Sequence, residues 1–421
     1  MDNQQFTIPD NEIAHLRELA KRKLEIAHDP ANLERKQAWY NYDSGENDRV
    51  MVIAEFLGIV DANKPIPLEN YKCKHPLASY YEQLMMEEIY NFESLKDDHV
   101  IEPVIRSKWE HSISDFGVEV VIHSAGDEVT KGAVNWDHPI KDLQRDFDLL
   151  KHRTYTLDRE VSFARQQYLQ SIFDGIMDVK ISQPFWWSLG MTGDAIKLIG
   201  LENLMLFMYD DPEGLHRLMA FLRDDNIAYM KWLEQEGLLS LNNRNNYTGS
   251  GSIGYTRDLP QKDFKPGDKV RLKDMWGLLE SQETVLIGPD HFAEFVYPYQ
   301  ETIAREFGKV YYGCCEPVHN RWEVLKNMSH LSRVSVSPWC DEAFMSEALG
   351  RNIGYSRKPN PTLISTSSWN EDSIRKDLRK TLDTAKNNRV EIIMKDVHTV
   401  NNQPERVARW VEIAREEIAR T

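Results

Sequence analysis

The chain has 421 residues, of which 41% are hydrophobic and 28% charged, and this composition excludes a disordered or collagen-like protein. Its formal net charge is −16, and its lysines and arginines are scattered without a basic tail. A surface that binds a nucleic-acid duplex needs clustered cations, so nucleic-acid binding is not expected.

No apolar run approaches the ~20 residues that span a bilayer, and the first residues, MDNQQFTIPDNEIAHLRELAKRK, lack the apolar centre of a signal peptide. We therefore expect a cytoplasmic protein that does not bind membranes. Three of the four cysteines fall in one short stretch: Cys314, Cys315 and Cys340, with Cys73 far from them. In a reducing compartment, clustered thiols serve more often as metal ligands or reactive groups than as disulfides.

The first part of the chain mixes helical and strand patterns. Residues 1–45 have the mixed polar and apolar spacing of a helical extension, 49–60 predict a first strand and 76–96 predict a helix. Polar and apolar residues alternate around Val120, which predicts a strand with one exposed face. We interpret 110–140 as a small antiparallel β insertion.

The middle of the chain begins with a predicted helix over 158–174 and a strand that enters an aromatic loop within 177–190. The pattern over 193–237 predicts two helices divided near Asp211-Pro212. The segment 242–260 is the richest in turn residues, and long loops of this kind are usually lids or binding loops.

From about Val270 a strand pattern is followed by a helix pattern five times. This alternation predicts parallel strands with crossover helices. No G-x-G-x-x-G motif and no P-loop occurs, which favours a barrel over a doubly wound sheet. The predicted fold is a single-domain (α/β)8 TIM barrel over 1–421, with the helical extension and the β insertion added to it.

In such a barrel, catalytic groups lie where strands end and loops begin. Reactive residues follow five predicted strands in the second half of the chain: Glu280, Gln282 and Glu283; Cys314, Cys315 and Glu316; Trp339 and Cys340; Arg357, Lys358 and Asn360; Asp396 and His398. We expect Glu280, Glu316, Asp396 and His398 to supply acid–base groups.

Zinc prefers thiolate and imidazole ligands, with carboxylate as a third type. Cys315 and Cys340 would come from neighbouring strand ends and could share one zinc ion. The alternative is two buried, inert cysteines. Two vicinal thiols do not normally bind one ion, so either Cys314 or Cys315 is a bystander. The third ligand stays open among Glu316, His398, Glu280, Cys314 and His319. Cys73 and His75, in a lone C-K-H, lack the geometry of a metal pair.

Aromatic side chains suit a flat apolar substrate, although most single rings belong to core packing. Trp186 and Trp187 are predicted to begin a loop at the catalytic end, and Trp339 follows a strand. Polar substrate contacts are expected from Tyr255, Arg257 and Arg357; as an alternative, the two arginines are solvent-exposed charges.

The stretch from Pro289 to Pro361 resembles the uroporphyrinogen decarboxylase superfamily through IGPDHFAEFVYPYQETI, YYGCCEP, RVSVSPWC and SRKPNP. The zinc methyltransferases of that family have a strand that ends in His-x-Cys-Gly and a second cysteine after the next strand. Gly313 stands where that histidine would be, and Cys315 and Cys340 match the two cysteines. The resemblance therefore implies a zinc site that Glu316 or His398 completes.

The same resemblance implies that this enzyme moves a methyl group from a small methylated substrate, preferably an O-methyl aromatic, to the cobalt of a separate corrinoid protein. The 242–260 loop is a candidate contact for that protein, and homodimers are common among such barrels. Three alternatives stay open: transfer from a methyl-corrinoid to a thiol or folate, a non-catalytic tetrapyrrole- or corrinoid-binding barrel, and a porphyrinogen decarboxylase. The decarboxylase branch has an N-terminal arginine-rich motif that this chain lacks.

Overall fold

The structure is a computed structural model that describes residues 6–46, 49–124 and 134–420. The helices are α1 Asp10–Ala27, α2 Pro30–Ser44, α3 Pro76–Tyr90, α4 Leu143–Asp146, α5 Arg159–Phe173, α6 Thr192–Ile199, α7 Leu201–Asp210, α8 Pro212–Glu236, α9 Pro289–Phe295, α10 Tyr297–Ala304, α11 Trp322–Leu325, α12 Glu342–Leu349, α13 Thr362–Ser365, α14 Glu371–Thr384 and α15 Glu405–Ile418.

The strands are β1 Met51–Ala54, β2 Val104–Ser107, β3 Glu110–Ile113, β4 Val121–Ser124, β5 Val134–Asp137, β6 Tyr155–Asp158, β7 Asp178–Ile181, β8 Tyr247–Gly249, β9 Ser252–Ile253, β10 Trp276–Leu279, β11 Lys309–Tyr312, β12 Leu331–Val336, β13 Gly354–Arg357 and β14 Val390–Met394. Short 3-10 or π turns connect several of them. The fold is therefore a mixed α/β fold, as the sequence predicts.

The chain forms two compact units, which we describe separately. The terminal unit comprises Met1–Glu110, Asp158–Gln183 and Lys358–Thr421, and the central unit comprises His111–Leu157 and Pro184–Arg357.

In the terminal unit, β1 and β14 pair in parallel, with Met51 opposite Glu391, and both strands are buried along their length. Strands β2 and β7 form a second parallel pair. Helices α1, α3 and α5 pack around one apolar cluster that includes Leu16, Tyr81 and Phe173. The predicted N-terminal helices are confirmed as α1 and α2.

In the central unit, β10, β11, β12 and β13 lie side by side in chain order, and each neighbouring pair is parallel. Almost every residue of these strands is buried, as expected for a parallel sheet covered on both faces. The predicted alternation of parallel strands and crossover helices is confirmed here. Parallel order also places the carboxyl ends of these strands at one edge of the sheet.

The segment 242–260 differs from its prediction. Strands β8 and β9 form a hairpin whose turn residues, Ser250 and Gly251, both have positive φ (46° and 84°), as a two-residue type I′ turn requires. The Trp276 indole N–H donates to Gly254 O (3.0 Å), and residues 248–256 are buried. The hairpin packs against β10 and β11, so these residues do not form an exposed lid or docking loop.

Two further predictions meet the structure in the central unit. The antiparallel insertion is confirmed as the β4–β5 pair, although residues 125–133 lie outside the described residues. The region 193–237 forms three helices rather than two, because Gly200 at φ 85° separates α6 from α7. A Cβ at Gly200 would lie 2.9 Å from the His138 ring, so the break also allows close packing.

None of the described helices is long and apolar enough to cross a membrane.

Candidate active site at the strand ends

Thiols and carboxylates gather at the carboxyl ends of β10, β11 and β12 in the central unit. Glu280 directly follows β10, Cys314 to Glu316 follow β11, and Cys340 follows β12. Gly313 N–H donates to Leu279 O (2.8 Å), so the chains after β10 and β11 remain side by side. The structure therefore brings together the predicted reactive residues of these three strands.

The Glu316 carboxylate joins the ends of two neighbouring strands. Its Oε1 accepts the Ser281 N–H (2.9 Å), its Oε2 accepts the Cys314 N–H (2.8 Å), and the residue is 1% exposed. Burial raises its pKa, while the backbone N–H donors act in the opposite direction. Glu316 is thus fixed as an acceptor at the base of the site.

Glu280 has the strongly shifted acidity expected of a catalytic acid. Burial, followed by the negative charges of Glu316 and Glu283, raises its pKa to about 8. The Ser188 hydroxyl donates to Oε1 (3.0 Å), and the Gln282 N–H donates to Oε2 (2.9 Å). The raised pKa favours the protonated form of Glu280 below about pH 8, and two hydrogen bonds position its carboxyl group.

Gln300 and Tyr312, which the sequence pattern did not identify, hold the backbone of Glu280 in place. The Gln300 side-chain amide donates to the carbonyl oxygens of Glu280 and Gly190, each at 2.8 Å. The Tyr312 hydroxyl in turn donates to Gln300 Oε1 (3.0 Å). A buried Gln on a crossover helix gives no pattern in the sequence, since only the fold places it behind a strand end.

The three thiols differ in exposure and contacts. Cys314 and Cys340 are buried, and Cys315 is exposed. Cys314 Sγ lies 3.6 Å from Cys315 Sγ and 3.8 Å from Ser250 Oγ at the hairpin turn. Cys340 Sγ lies 3.9 Å from Glu316 O, and burial raises its pKa. Cys315 and Cys340 thus belong to adjacent strand ends, and Cys314 faces the packed hairpin.

The backbone at Gly313, where the sequence resemblance implies a histidine in other proteins, disfavours any side chain. Gly313 has φ 94°, and a Cβ at this position would lie 3.2 Å from Val318 Cγ1 and 3.3 Å from Ser335 Cβ. A side chain would therefore be strained as well as crowded. Two thiols on adjacent strand ends suit zinc, and the Glu316 oxygens retain lone pairs for a third bond.

Within the described residues, three potential ligand atoms within 4.8 Å of one another occur at one place, formed by His15, Cys73 and Glu82. The strand-end thiols do not belong to such a set. Asp396 and His398 follow β14 in the terminal unit and are exposed, and Asp396 Oδ2 lies 3.4 Å from Lys395 Nζ. Their participation with Cys315 and Cys340 stays a prediction.

Trp186 does not lie at the catalytic end, where it was predicted. Leu189 N–H donates to Leu278 O (3.0 Å), so the preceding chain runs beside β10. The Trp186 ring lies 6.0 Å from Phe307, two residues before β11 begins. The Trp187 indole donates to the Tyr247 hydroxyl (3.0 Å). Trp186 is therefore near the amino end of the strands, away from the thiols.

Tyr255 and Arg257 also lie towards the amino ends, contrary to their predicted substrate role. Tyr255 is fully buried and follows Gly254, which contacts the first residue of β10. Next to the exposed Arg257, Asp258 forms an ion pair (2.6 Å) with Lys309, the first residue of β11. Packing of the hairpin against the sheet thus places Tyr255 and Arg257 towards the amino ends, while the hairpin turn at Ser250 contacts Cys314.

Two other predicted substrate residues do lie near the strand ends. Trp339 is 66% exposed, one residue before Cys340. Arg357 ends β13 and is buried, and its Nε donates to Glu342 Oε2 (3.1 Å). The indole is therefore available to a ligand, whereas the guanidinium already has an internal carboxylate partner.

No protein-family model matches the chain, and no curated protein matches it. Among solved structures it is similar to a methyltransferase from Methanosarcina mazei, with 13% sequence identity and a TM-score of 0.49. That similarity covers 91% of this chain and 99% of the other chain. A similarity at this level carries no argument about the activity of this protein.

Proposed function

We propose that this protein is a zinc-dependent methyltransferase that moves a methyl group from a small O-methyl aromatic to the cobalt of a separate corrinoid protein. One observation carries the proposal: thiols and a buried glutamate with a raised pKa follow neighbouring parallel strands at the same edge of the sheet. The proposal includes closure of the parallel strands into an (α/β)8 barrel as one domain, since such barrels carry their active sites at this face.

Cys315 and Cys340 are the proposed thiolate ligands, with Glu316 as the third ligand and His398 as the alternative. A bound zinc ion would act as a Lewis acid on the ether oxygen of the substrate. The exposed Cys315 faces solvent, and the buried Cys340 fixes the other side of the site. Cys314 is the bystander in this assignment, because its sulfur contacts the hairpin turn.

Glu280 is the proposed general acid. Below its pKa of about 8 it carries the proton that a departing phenolate needs. The Ser188 hydroxyl and the Gln282 N–H orient the carboxyl group, and Gln300 holds the backbone behind it. Burial disfavours the Glu280 anion, so Glu280 takes up a proton from solvent again after each transfer.

The exposed Trp339 ring provides an apolar surface beside Cys340 for the substrate ring or for the corrinoid. The corrinoid protein would approach this edge of the sheet. Residues 248–256 of the 242–260 segment are buried, so a contact of this segment with the corrinoid protein would involve its exposed flanks, such as Tyr247 and Arg257.

The test combines metal analysis with a methyl-transfer assay that uses an isotope-labelled methoxybenzene and a cobalt(I) corrinoid protein. We expect zinc at the strand ends and labelled methylcobalt as product. Cys315→Ser and Cys340→Ser should lose both zinc at this site and transfer, whereas the matched control Cys314→Ser should retain both.

Other outcomes would contradict the proposal. Transfer of label from the methyl-corrinoid to a thiol or folate would reverse the direction of the reaction. A protein without zinc at this site, and unchanged by Cys315→Ser, would favour a non-catalytic corrinoid- or tetrapyrrole-binding role. Decarboxylation of an added porphyrinogen would identify the protein as a porphyrinogen decarboxylase.

A further inference from the structure

Two glutamates hold the loop 72–75 between helices α1 and α3 in the terminal unit. Glu82 accepts the N–H groups of Lys72 (2.7 Å) and Cys73 (3.0 Å). Glu12 accepts the next two, those of Lys74 and His75, each at 3.1 Å. Four consecutive backbone donors are thus satisfied by two carboxylates, which fixes the Cys73 side chain against both helices.

An imidazole, a thiol and a carboxylate meet at this loop. His15 Nε2 lies 2.7 Å from Glu82 Oε1, and Cys73 Sγ completes a set whose atoms all lie within 4.8 Å of one another. Glu82 is fully buried, Cys73 is 9% exposed, and the His15 side chain is 17% exposed. Cys73 lies in the C-K-H segment, which lacks metal-binding geometry by itself. In the folded chain, His15 of α1 and Glu82 of α3 add two potential ligands beside this thiol.

The two glutamates at this loop accept hydrogen bonds from backbone N–H groups rather than from basic side chains. Glu12 and Glu82 are both buried, and neither forms an ion pair with a lysine or arginine of the described residues. Glu82 contacts the His15 ring, which is cationic only when it is protonated. Buried carboxylates without full compensation are costly, so a divalent cation here would stabilise the fold.

We infer that His15, Cys73 and Glu82 form a second zinc site, distinct from the strand-end thiols. Imidazole, thiolate and carboxylate are the ligand types that zinc prefers, whereas magnesium and calcium prefer oxygen alone. Zinc would displace the thiol proton of Cys73, which would pass to solvent, and would bind the neutral His15 ring through a ring nitrogen that carries no proton. Solvent reaches the site on the His15 side and supplies the fourth position.

The proposed role is structural. The ion would join α1, the loop and α3, whose apolar faces already share one core cluster. The carboxylate ligand is itself held by backbone N–H groups, as ligands in metal sites commonly are. His75 on the same loop has a buried Nδ1 without a hydrogen-bond partner. This residue is two positions from Cys73 and carries a further nitrogen that could act as a ligand.

The experiment uses the full-length Cys315→Ser/Cys340→Ser double variant, so that the result does not depend on the proposed active site. After removal of metal, the protein is reconstituted with cobalt(II), and its absorption spectrum and bound metal are measured. We expect about one equivalent of cobalt and a thiolate-to-cobalt charge-transfer band. Adding Cys73→Ser should abolish the band and the bound metal.

His15→Gln is the conservative second variant, because the Gln amide can still donate to Glu82 while being a poor zinc ligand. It should weaken metal binding at least about tenfold with circular dichroism unchanged. Lys74→Ala is the matched control on the same loop and should retain metal. An absence of bound metal in the double variant, or full retention of metal by a folded Cys73→Ser variant, would overturn the inference.

Discussion

The strand ends of the central unit and the helix–loop cluster of the terminal unit both contain cysteine and glutamate, but they differ in what surrounds those groups. At the strand ends, an exposed thiol, an exposed indole and a glutamate with a pKa of about 8 lie along one edge of the sheet. At the loop 72–75, the carboxylates are occupied by backbone N–H groups and the thiol is part of a core cluster. The first arrangement leaves reactive groups available, whereas the second uses similar groups to fix the chain.

The largest expected effect comes from substituting the two kinds of thiol separately, Cys340 at the strand ends and Cys73 at the loop 72–75. Cys340→Ser should lower methyl transfer by at least about 100-fold, because it removes a metal ligand, while thermal stability changes little. Cys73→Ser should leave kcat unchanged. Measuring kcat and the melting temperature of both variants checks this contrast, which is lost if Cys73→Ser is the inactive variant.

Glu280→Gln tests the acid role at the strand ends. We expect kcat to fall by about 100-fold or more, and the loss of wild-type activity as pH rises through about 8 should disappear. A pH–rate profile of both proteins makes the measurement. Glu283→Gln is the control, since Glu283 adds only a smaller charge effect. A wild-type rate that increases above pH 8 would exclude Glu280 as the acid.

The same substitution should change stability in a pH-dependent way. The folded pKa of Glu280 lies above its unfolded value of about 4.3, so the folded state loses stability as pH rises from there to about 8. Glu280→Gln carries no charge and avoids this loss. We expect the variant to exceed the wild type by roughly 2–4 kcal/mol in unfolding free energy at pH 9, and the two to converge near pH 5. Urea unfolding at both pH values measures it.

Metal removal should distinguish the two regions by stability. Stripping zinc from the loop 72–75 should lower the free energy of unfolding by about 3 kcal/mol relative to protein in zinc at about 100 times Kd. Calorimetry of the Cys315→Ser/Cys340→Ser background, with and without chelator, isolates this effect. Equal melting temperatures would assign the cluster to hydrogen bonding alone.

The smallest effects concern the aromatic residues. Trp339→Ala should raise KM several-fold for an aromatic substrate, because about 1 kcal/mol of ring contact is lost. Trp186→Ala should leave KM unchanged, since this ring packs beside Phe307 near the amino ends of the strands. A KM effect of Trp186→Ala without one of Trp339→Ala would contradict this placement of the two rings.

The sequence pattern was sufficient for most secondary structure. The parallel strands β10 to β13, the N-terminal helices and the β4–β5 insertion follow from periodicity and from strand–helix alternation, which are local properties. The sequence did not predict that Trp186 and Tyr255 lie towards the amino ends of the strands, or that residues 248–256 are buried in a hairpin. A turn-rich aromatic segment has the same composition whether it packs on a sheet or covers a pocket. Only contacts such as the Trp276–Gly254 hydrogen bond distinguish the two.

By itself, the sequence determined that Glu280, the thiol pair with Glu316, and Cys340 each follow a strand. Because successive strands are parallel, it also determined that these residues lie at the same edge of the sheet. The tertiary structure alone decided which groups meet across long separations. His15 and Glu82 reach Cys73 through the packing of α1 against α3, and the acidity of Glu280 comes from its burial beside Glu316. Distance and desolvation are properties of the packed chain, and no local pattern encodes them.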